Sequence, residues 1–549
     1  MCASSLATRR LRLLSLAAVL LAAAAQARPA AAQGVNSAPP PSYFGIHNAF
    51  HDGDYRAALQ LYTVAGQSGL MNLSTLQKWI DSICYQAMIG ECYYQLGNHP
   101  LALTHYTAAI QLYLANSDWL ANVQFHLSAL QPANGGQLVA TPWHLRVSAV
   151  GAYPTYVSMY QGKVNNAGAI VNGGVATPAI LYSVHAQEIV RCTCLAIRRR
   201  GELLGPAAPY DPVTADLLRK LVPRPALPNH WSQAWVGVQL GLAYVAAGKD
   251  KQAADVLAKS VLAAGLFDHP LTGVGLLELG RIELRRGDFS AADAYFRNAS
   301  CAAAQFSDYG TMEEAFRYGA VAHLMAGRTE IYLPLPAAVV WAAAKGLRHL
   351  EASLLIAMAE NKCVAGIPAD ADLALATAAM TGNDLLIARL GARFNYTLAL
   401  SSFQSGNAAV GEAALAGALA FQRSGSLWLS HMFMADNLWQ LKVASDRIAV
   451  DLFQKVLREP TAADWAFDSL ESLSTLVAPH VPMLEHWFEL TLKMSKQHER
   501  ALEISDRIRK HRFLLTQEWG GRLLNLRWVL EGPEELIGPD AVIQRQAIL

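Results

Sequence analysis

Small and apolar residues recur along this chain at fixed distances from a glycine. The glycine is followed by an alanine five positions on, an aromatic residue or leucine nine on, and a small residue twelve on. The pattern occurs at four glycine–alanine pairs: Gly53 and Ala58, Gly97 and Ala102, Gly248 and Ala253, and Gly287 and Ala292. Repeated matches to one template predict an internal repeat, which decides the architecture of the chain.

The spacing has a physical interpretation as two antiparallel helices joined by a tight turn. Glycine forms the turn without a Cβ penalty, and the small residues, Ala292 among them, are expected where the two helices cross closely. The pattern resembles the tetratricopeptide repeat (TPR), a helix–turn–helix unit of about 34 residues. The resemblance implies an all-α superhelix of αα-hairpins, in which the first helix of each hairpin lines a concave groove.

Glycine and proline divide the chain into segments. Between Gln131 and Gly174 they punctuate short β-prone pieces, so we expect an irregular or hairpin insertion there, with strands confined to about residues 140–180. A cluster of prolines predicts a boundary between two helical blocks. The expected segments are a signal peptide at 1–32, an extended linker at 33–42, an N-terminal TPR-like block at 43–205 with its insertion at 131–174, a proline-rich linker at 206–229, and a C-terminal TPR-like block at 230–549.

The N-terminus has the layout of a secretory signal peptide. Arg9, Arg10 and Arg12 precede an apolar run from Leu13 to Ala25, and Ala30–Ala32 provides a cleavage site, with Ala25–Ala27 as an alternative. No later apolar run reaches the roughly 18 residues that indicate a membrane span. We therefore expect an exported protein, periplasmic or extracellular, with no membrane span after cleavage.

Composition narrows the possible partners. Hydrophobic residues make up 53% of the chain and charged residues 16%, which argues against disorder. The 44 basic residues balance 43 acidic ones, so we expect no nucleic-acid partner. The one dense basic run, Arg198–Arg200, is interpreted as a helix C-terminus that complements the helix dipole, with a phosphate-binding patch as the alternative.

Six cysteines remain after cleavage, too few for a disulfide framework in a chain of this length. Cys84 and Cys92 lie eight residues apart on one predicted helix, too far along it to bridge directly. Most cysteines are therefore predicted to be buried small hydrophobic residues. A Cys192–Cys194 bridge or a longer-range bridge stays open.

The sequence contains no recognisable catalytic motif. No P-loop or G-x-S-x-G elbow is present, and His185 and Glu188, which share a helix face, have no third metal ligand nearby in sequence. A cysteine–histidine dyad stays open, because such partners meet only in the fold, as does an activity in the irregular insertion. We therefore expect no cofactor, no metal site and no enzymatic activity.

The groove is the expected site of function. Counting back from each turn glycine places Trp235, Leu242, Leu277 and Arg281 on its exposed face, where they would bind a protein or peptide partner. The alternative is that these residues pack between repeats. The groove positions lack the Lys and Asn clamp of the best-known TPR peptide sites. Their apolar character suits an apolar segment or one of the chain's own helices.

The C-terminal region carries a second resemblance. Residues Arg500 to Leu526 resemble the last helices that lead into a caspase-like CHAT domain in some repeat proteins. This resemblance implies an alternative function, in which the chain is the regulatory repeat region of a CHAT protease whose catalytic domain lies elsewhere. No CHAT catalytic motif lies within these residues.

Overall fold

A computed structural model gives the fold of the chain. It describes residues 36–73, 77–123, 138–161, 180–380, 384–494 and 497–516, together with residues 171, 382, 542 and 545. The signal-peptide prediction for 1–32 and the final residues of the CHAT-like stretch lie outside this part of the chain.

The described residues are predominantly helical, as the repeat predicted. The N-terminal helices are α1 (Pro41–His51), α2 (Tyr55–Gln67), α3 (Ser82–Gln95), α4 (His99–Ala115), α5 (Trp119–Asn122), α6 (Ala186–Leu204) and α7 (Pro212–Leu221). The central helices are α8 (Ser232–Ala246), α9 (Asp250–Ser260), α10 (Thr272–Arg286), α11 (Phe289–Gln305), α12 (Tyr309–Met325), α13 (Pro334–Ala344), α14 (Arg348–Val364) and α15 (Asp370–Ala379). The C-terminal helices are α16 (Arg389–Gln404), α17 (Ala408–Gly425), α18 (Leu427–Gln440), α19 (Asp446–Val456), α20 (Ala462–Phe467), α21 (Ser469–Val477), α22 (Val481–Lys493) and α23 (His498–Leu515).

The predicted turn glycines join the helices of successive hairpins. Gly53, Gly97, Gly248 and Gly287 all have positive φ angles, between 68° and 83°. Only glycine adopts this left-handed conformation without a steric penalty. The alanines that follow them, Ala58, Ala102, Ala253 and Ala292, are fully buried. The helix–turn–helix register predicted from the sequence is therefore confirmed at all four units.

The glycine seven positions before the turn also has a role. A Cβ atom on Gly280 would lie 2.6 Å from the ring of Phe296, and one on Gly90 would lie 2.9 Å from the ring of Tyr106. Both rings belong to the second helix of the same hairpin, nine residues after its turn glycine. The glycine and the aromatic residue are therefore two halves of one contact, which explains why they recur together.

Short strands form two small sheets beside the helices. The strands are β1 (Ser37–Ala38), β2 (Leu138–Thr141), β3 (His144–Val150), β4 (Tyr156–Tyr160), β5 (Leu181–His185) and β6 (Phe267–Asp268). One sheet has the order β1-β5-β4 and the other β2-β3-β6. The prediction of strands only near residues 140–180 is wrong for β1 and β6. Each of these two-residue strands pairs in parallel with a longer strand, β6 with β3 inside the insertion and β1 with β5 just after it, and so ties this region to a distant segment.

The proline-rich stretch forms ordered structure. A 3₁₀ helix (Gly205–Tyr210) follows α6, and α7 begins with Pro212 in its first turn, capped by the Asp211 side chain. Helix α6 packs against α3 and α4 on one side and α8 on the other, and α7 packs against α4 and α8. Together α6 and α7 occupy the position of a further hairpin between α3–α4 and α8–α9, although they lack the glycine template.

Hairpins far apart in sequence contact one another, so the superhelix closes on itself. The α1–α2 hairpin reaches the start of α14, where the Tyr55 hydroxyl lies 3.0 Å from Nδ1 of His349. The turn at Gly97 packs against the C-terminal end of α17, and α6 packs against α18. These contacts between distant hairpins convert an open groove into an enclosed interior. Among the described residues, no helix has both the length and the apolar character needed to cross a membrane.

Candidate functional site

The interior of the superhelix contains a cavity of about 410 Å³. It is lined by α6 together with the first helices of several hairpins, which are α1, α3, α12, α14 and α16. Its walls combine aromatic, histidine, carboxylate and guanidinium side chains. Glu91, Tyr94 and Gln95 of α3 are among the residues that line it.

Arginines at the centre of α6 hold the opposite walls together. The Arg199 guanidinium donates to Glu202 at 2.8 Å, to Glu314 of α12 at 2.7 Å and to Glu91 of α3 at 3.2 Å. Arg198 donates to Glu314 at 2.5 Å. These side chains are almost fully buried, so the charges compensate one another across the interior.

The interpretation of Arg198–Arg200 as a helix terminus is therefore wrong. The helix continues to Leu204, and each of the three guanidiniums binds carboxylates inside the protein; Arg200 binds Asp211 at 2.8 Å. The sequence shows the three adjacent arginines but not the carboxylates that they bind. Glu91 and Glu314, which bind Arg198 and Arg199, lie on helices more than 100 residues away, which is why the pattern did not indicate burial.

A second network of polar side chains connects α2 with α14, where the superhelix closes. Nε2 of His349 lies 3.0 Å from Oε2 of Glu313, and the Ser353 hydroxyl donates to Oε1 of the same carboxylate at 2.8 Å. Burial opposes the charge on Glu313, but His349 and Ser353 more than offset it, so the pKa of Glu313 is lowered to about 2. Tyr55 completes the network on the other side of His349.

The order tyrosine, histidine, carboxylate matches a nucleophile, a base and an orienting group. However, Tyr55 is only 1% exposed. Burial, followed by nearby carboxylates, raises its pKa well above the ordinary tyrosine value, which disfavours the phenolate. The arrangement therefore serves to fasten α2 to α14.

The N-terminal corner of the cavity holds unprotonated histidines. Burial lowers the pKa of His47 to about 4 and that of His51 to about 3. Beside them, the Glu188 carboxylate accepts hydrogen bonds from the Tyr43 hydroxyl at 2.6 Å and from the Arg191 guanidinium at 2.7 Å. Burial raises the pKa of Glu188, but Arg191 outweighs it, and the net pKa is about 2.

The four residues predicted to bind a partner do not form an exposed surface. Trp235, Leu242 and Leu277 are at most 1% exposed. Arg281 donates to Glu202 at 2.6 Å and to Glu278 at 2.9 Å. The expectation that Trp235 and Arg281 are exposed is wrong.

Trp235 is buried because neighbouring segments of the chain cover α8. The ring of Trp235 contacts Trp231 and the insertion residue Tyr153, with ring centroids 4.9 Å and 6.0 Å apart, and α6 packs along the same helix. The groove in front of α8 is thus filled by the chain's own helix, which is one of the two occupants that its apolar character indicated.

The six cysteines within the described residues are buried, which confirms their interpretation as core residues, and none of the six forms a disulfide. Cys84 and Cys92 share α3 as predicted, and Cys363 lies on α14. His185 lies at the end of β5, where its Nδ1 accepts the backbone N–H of Glu188 and caps α6.

The fold and interior together define an all-α superhelix of TPR-like hairpins with a small β insertion. No family model matches the chain, and no curated protein matches it. Among solved structures it is similar to a chain in the crystal structure of the APC/C hetero-tetramer Cut9-Hcn1. That match has 14% identity, covers 85% of this chain and 80% of the other, and has a TM-score of 0.24. So weak a likeness adds nothing to the architecture that the hairpins themselves define.

Proposed function

We propose that this chain is a protein-interaction scaffold that binds its partner by taking a short segment into the central cavity. A TPR-like fold suggests protein–protein interaction. The predicted groove residues of α8, Trp235 and Leu242, are covered by other parts of the chain and cannot contact a partner. The observation that carries the proposal is the cavity itself. Its volume lies within the range of about 300–1,000 Å³ that is typical of ligand sites.

The lining supports a polypeptide ligand. Arg199 and Arg389 lie on either wall over the ring of Tyr94, each with its guanidinium carbon 4.3 Å from the ring centroid. Phe44, Phe50 and Tyr309 are partly exposed in the lining, and aromatic side chains of this kind are enriched among the residues that anchor protein interfaces. Gln95 and Phe50 are partly exposed, so the lining is accessible from outside.

A plugged cavity tests the proposal. Gly310 lies in the first turn of α12, lines the cavity, and has no atom within 4 Å of an added Cβ. Gly310→Trp therefore adds an indole at the wall of the cavity, where its Cβ meets no neighbouring atom. The matched control is Gly45→Trp, since Gly45 is also exposed on a helix and free of neighbours within 4 Å but is not part of the lining.

The measurement is affinity capture with the wild-type chain and both variants as bait, followed by mass spectrometry. A partner should be retained by the wild type and by Gly45→Trp and lost with Gly310→Trp, while all three baits keep the same melting temperature. Equal capture by the plugged variant would place binding on another surface and contradict the proposal.

Export is the second part of the proposal. It is supported by the charged head, apolar run and alanine-rich cleavage site within residues 1–32. N-terminal sequencing of the protein from its own cells should find a chain that begins at Gln33 outside the cytoplasm. A cytoplasmic chain with an intact leader would contradict export.

The alternative function is the regulatory repeat region of a CHAT protease. It is supported by the sequence of Arg500 to Leu526, of which α23 forms the first part. Sequencing the gene beyond residue 549 tests it, because this alternative requires a caspase-like domain to follow.

A further inference from the structure

Three potential metal ligands meet behind the N-terminal corner of the cavity. The Cys84 sulfur, the Cys192 sulfur and a Glu188 carboxylate oxygen all lie within 4.8 Å of one another. Both cysteines are fully buried, and Glu188 is 6% exposed. Cys84 comes from α3, whereas Glu188 and Cys192 are four residues apart on α6 and so share one face of that helix.

The chain places a fourth donor beside this cluster. Nε2 of His47, on α1, lies 3.7 Å from Oε1 of Glu188 and has no hydrogen-bond partner. His47 does not lie within 4.8 Å of all three ligand atoms, so a change of its side-chain rotamer is needed to bring this nitrogen onto the ion. An unpaired buried nitrogen is otherwise costly, which makes its position beside the cluster informative.

The charges of the cluster suit a divalent cation. Two thiolates and one carboxylate carry three negative charges. The Arg191 guanidinium, 2.7 Å from Oε1 of Glu188 and 3.5 Å from the Cys192 sulfur, supplies one positive charge. A divalent ion brings the sum to zero, as a buried site requires.

We propose that Cys84, Cys192 and Glu188 bind a zinc ion, and that the His47 ring turns toward this cluster to supply the fourth ligand. Sulfur and imidazole ligands select zinc over the harder magnesium and calcium ions, and four protein ligands make a closed structural site. Binding releases the two thiol protons to solvent and forms two metal–sulfur bonds. The ion would join α1, α3 and α6 at the N-terminal corner of the cavity. The sequence did not indicate this site, because its ligands come from three distant segments.

The test uses the reduced full-length chain and Co²⁺ as a spectroscopic substitute for Zn²⁺. One equivalent of Co²⁺ should give thiolate-to-metal charge-transfer absorption and the visible bands of a tetrahedral ion, and Zn²⁺ should abolish both. Cys84→Ser and Cys192→Ser should each lose most of the charge-transfer intensity. Cys194→Ser is the matched control, since Cys194 is equally buried on the same helix but outside the cluster.

Two results would overturn the proposal. One is a wild-type chain that shows no thiolate charge transfer with Co²⁺. The other is a Cys84–Cys192 disulfide in the protein isolated from its own cells, which would assign the pair to covalent cross-linking. If a serine variant fails to fold, the test is the rate of cysteine alkylation in the wild-type chain with and without Zn²⁺. Bound Zn²⁺ must slow alkylation of Cys84 and Cys192 but not of Cys194. Equal protection of all three cysteines contradicts the site.

Discussion

Charged and aromatic side chains are buried in this protein because distant helices bring them partners. Arg199 is satisfied by carboxylates from three helices, so its burial costs less than that of an isolated charge. Trp235 occupies a groove position by sequence, yet Tyr153 of the insertion and Trp231 cover it. At the scale of single residues, position within a repeat therefore does not decide exposure.

The first prediction concerns Trp235. Trp235→Ala should lower the free energy of unfolding by about 3–5 kcal/mol, because it leaves a large cavity in a fully buried site. The loss should be measurable by urea denaturation. Trp235→Phe, which keeps an aromatic ring, should lose much less. If both variants keep wild-type stability and instead lose partner capture, Trp235 contacts the partner and does not stabilise the core.

Hairpin geometry is the level at which the sequence was most informative. The turn glycines and the alanines that follow them satisfy constraints within a single hairpin, so their spacing alone predicts the register. Helix α6 shows why the sequence did not predict contacts between hairpins. Its neighbour α7 follows a 3₁₀ helix rather than the glycine template, and the carboxylates of Glu91 and Glu314, which bind Arg199, lie on other hairpins. Neither feature leaves a local pattern in the sequence.

Two turn glycines should differ in their tolerance to substitution. Gly287→Ala adds a Cβ in open space and should cost only the left-handed backbone penalty of about 1–2 kcal/mol. Gly97→Ala has the same penalty, but its Cβ would also lie 3.0 Å from Cα of Gly425 and from the ring of Phe421. It should cost about 1–3 kcal/mol more. Urea midpoints of the two variants measure the difference, and equal losses would mean that the Gly97 turn does not touch α17.

Closure of the superhelix decides which polar side chains of the whole molecule are buried. It buries the polar faces of the first helices, which would line an open groove in a longer superhelix, and it forces histidines and carboxylates into the interior. The sequence predicted the hairpins but not this closure. Contacts such as those of Tyr55 with His349 and of Arg56 with Asp384 join residues about 300 positions apart.

Buried histidines should make the folded chain sensitive to acid. Burial lowers the pKa of His47 to about 4 and those of His51 and His99 to about 3, all below the ordinary value of 6.5. The unfolded chain therefore binds more protons than the folded chain as the pH falls below 6.5. The stabilisation is fully present above pH 6.5 and is lost toward pH 4, by up to about 1.4 kcal/mol per pH unit for each histidine.

Chemical denaturation between pH 7 and pH 4 measures this effect, and His51→Gln separates it from other titrations. The pKa values of Glu188 and Glu313, both about 2, act in the same direction, but only below the ordinary glutamate value of 4.5. Between pH 6.5 and pH 5 the slope of stability against pH should therefore fall in His51→Gln. The control variant His498→Gln, at an exposed position of α23, should keep the wild-type slope. A wild-type stability that does not change over this interval would mean that protonated histidines are accommodated, and hence that the interior around α1 is open to water.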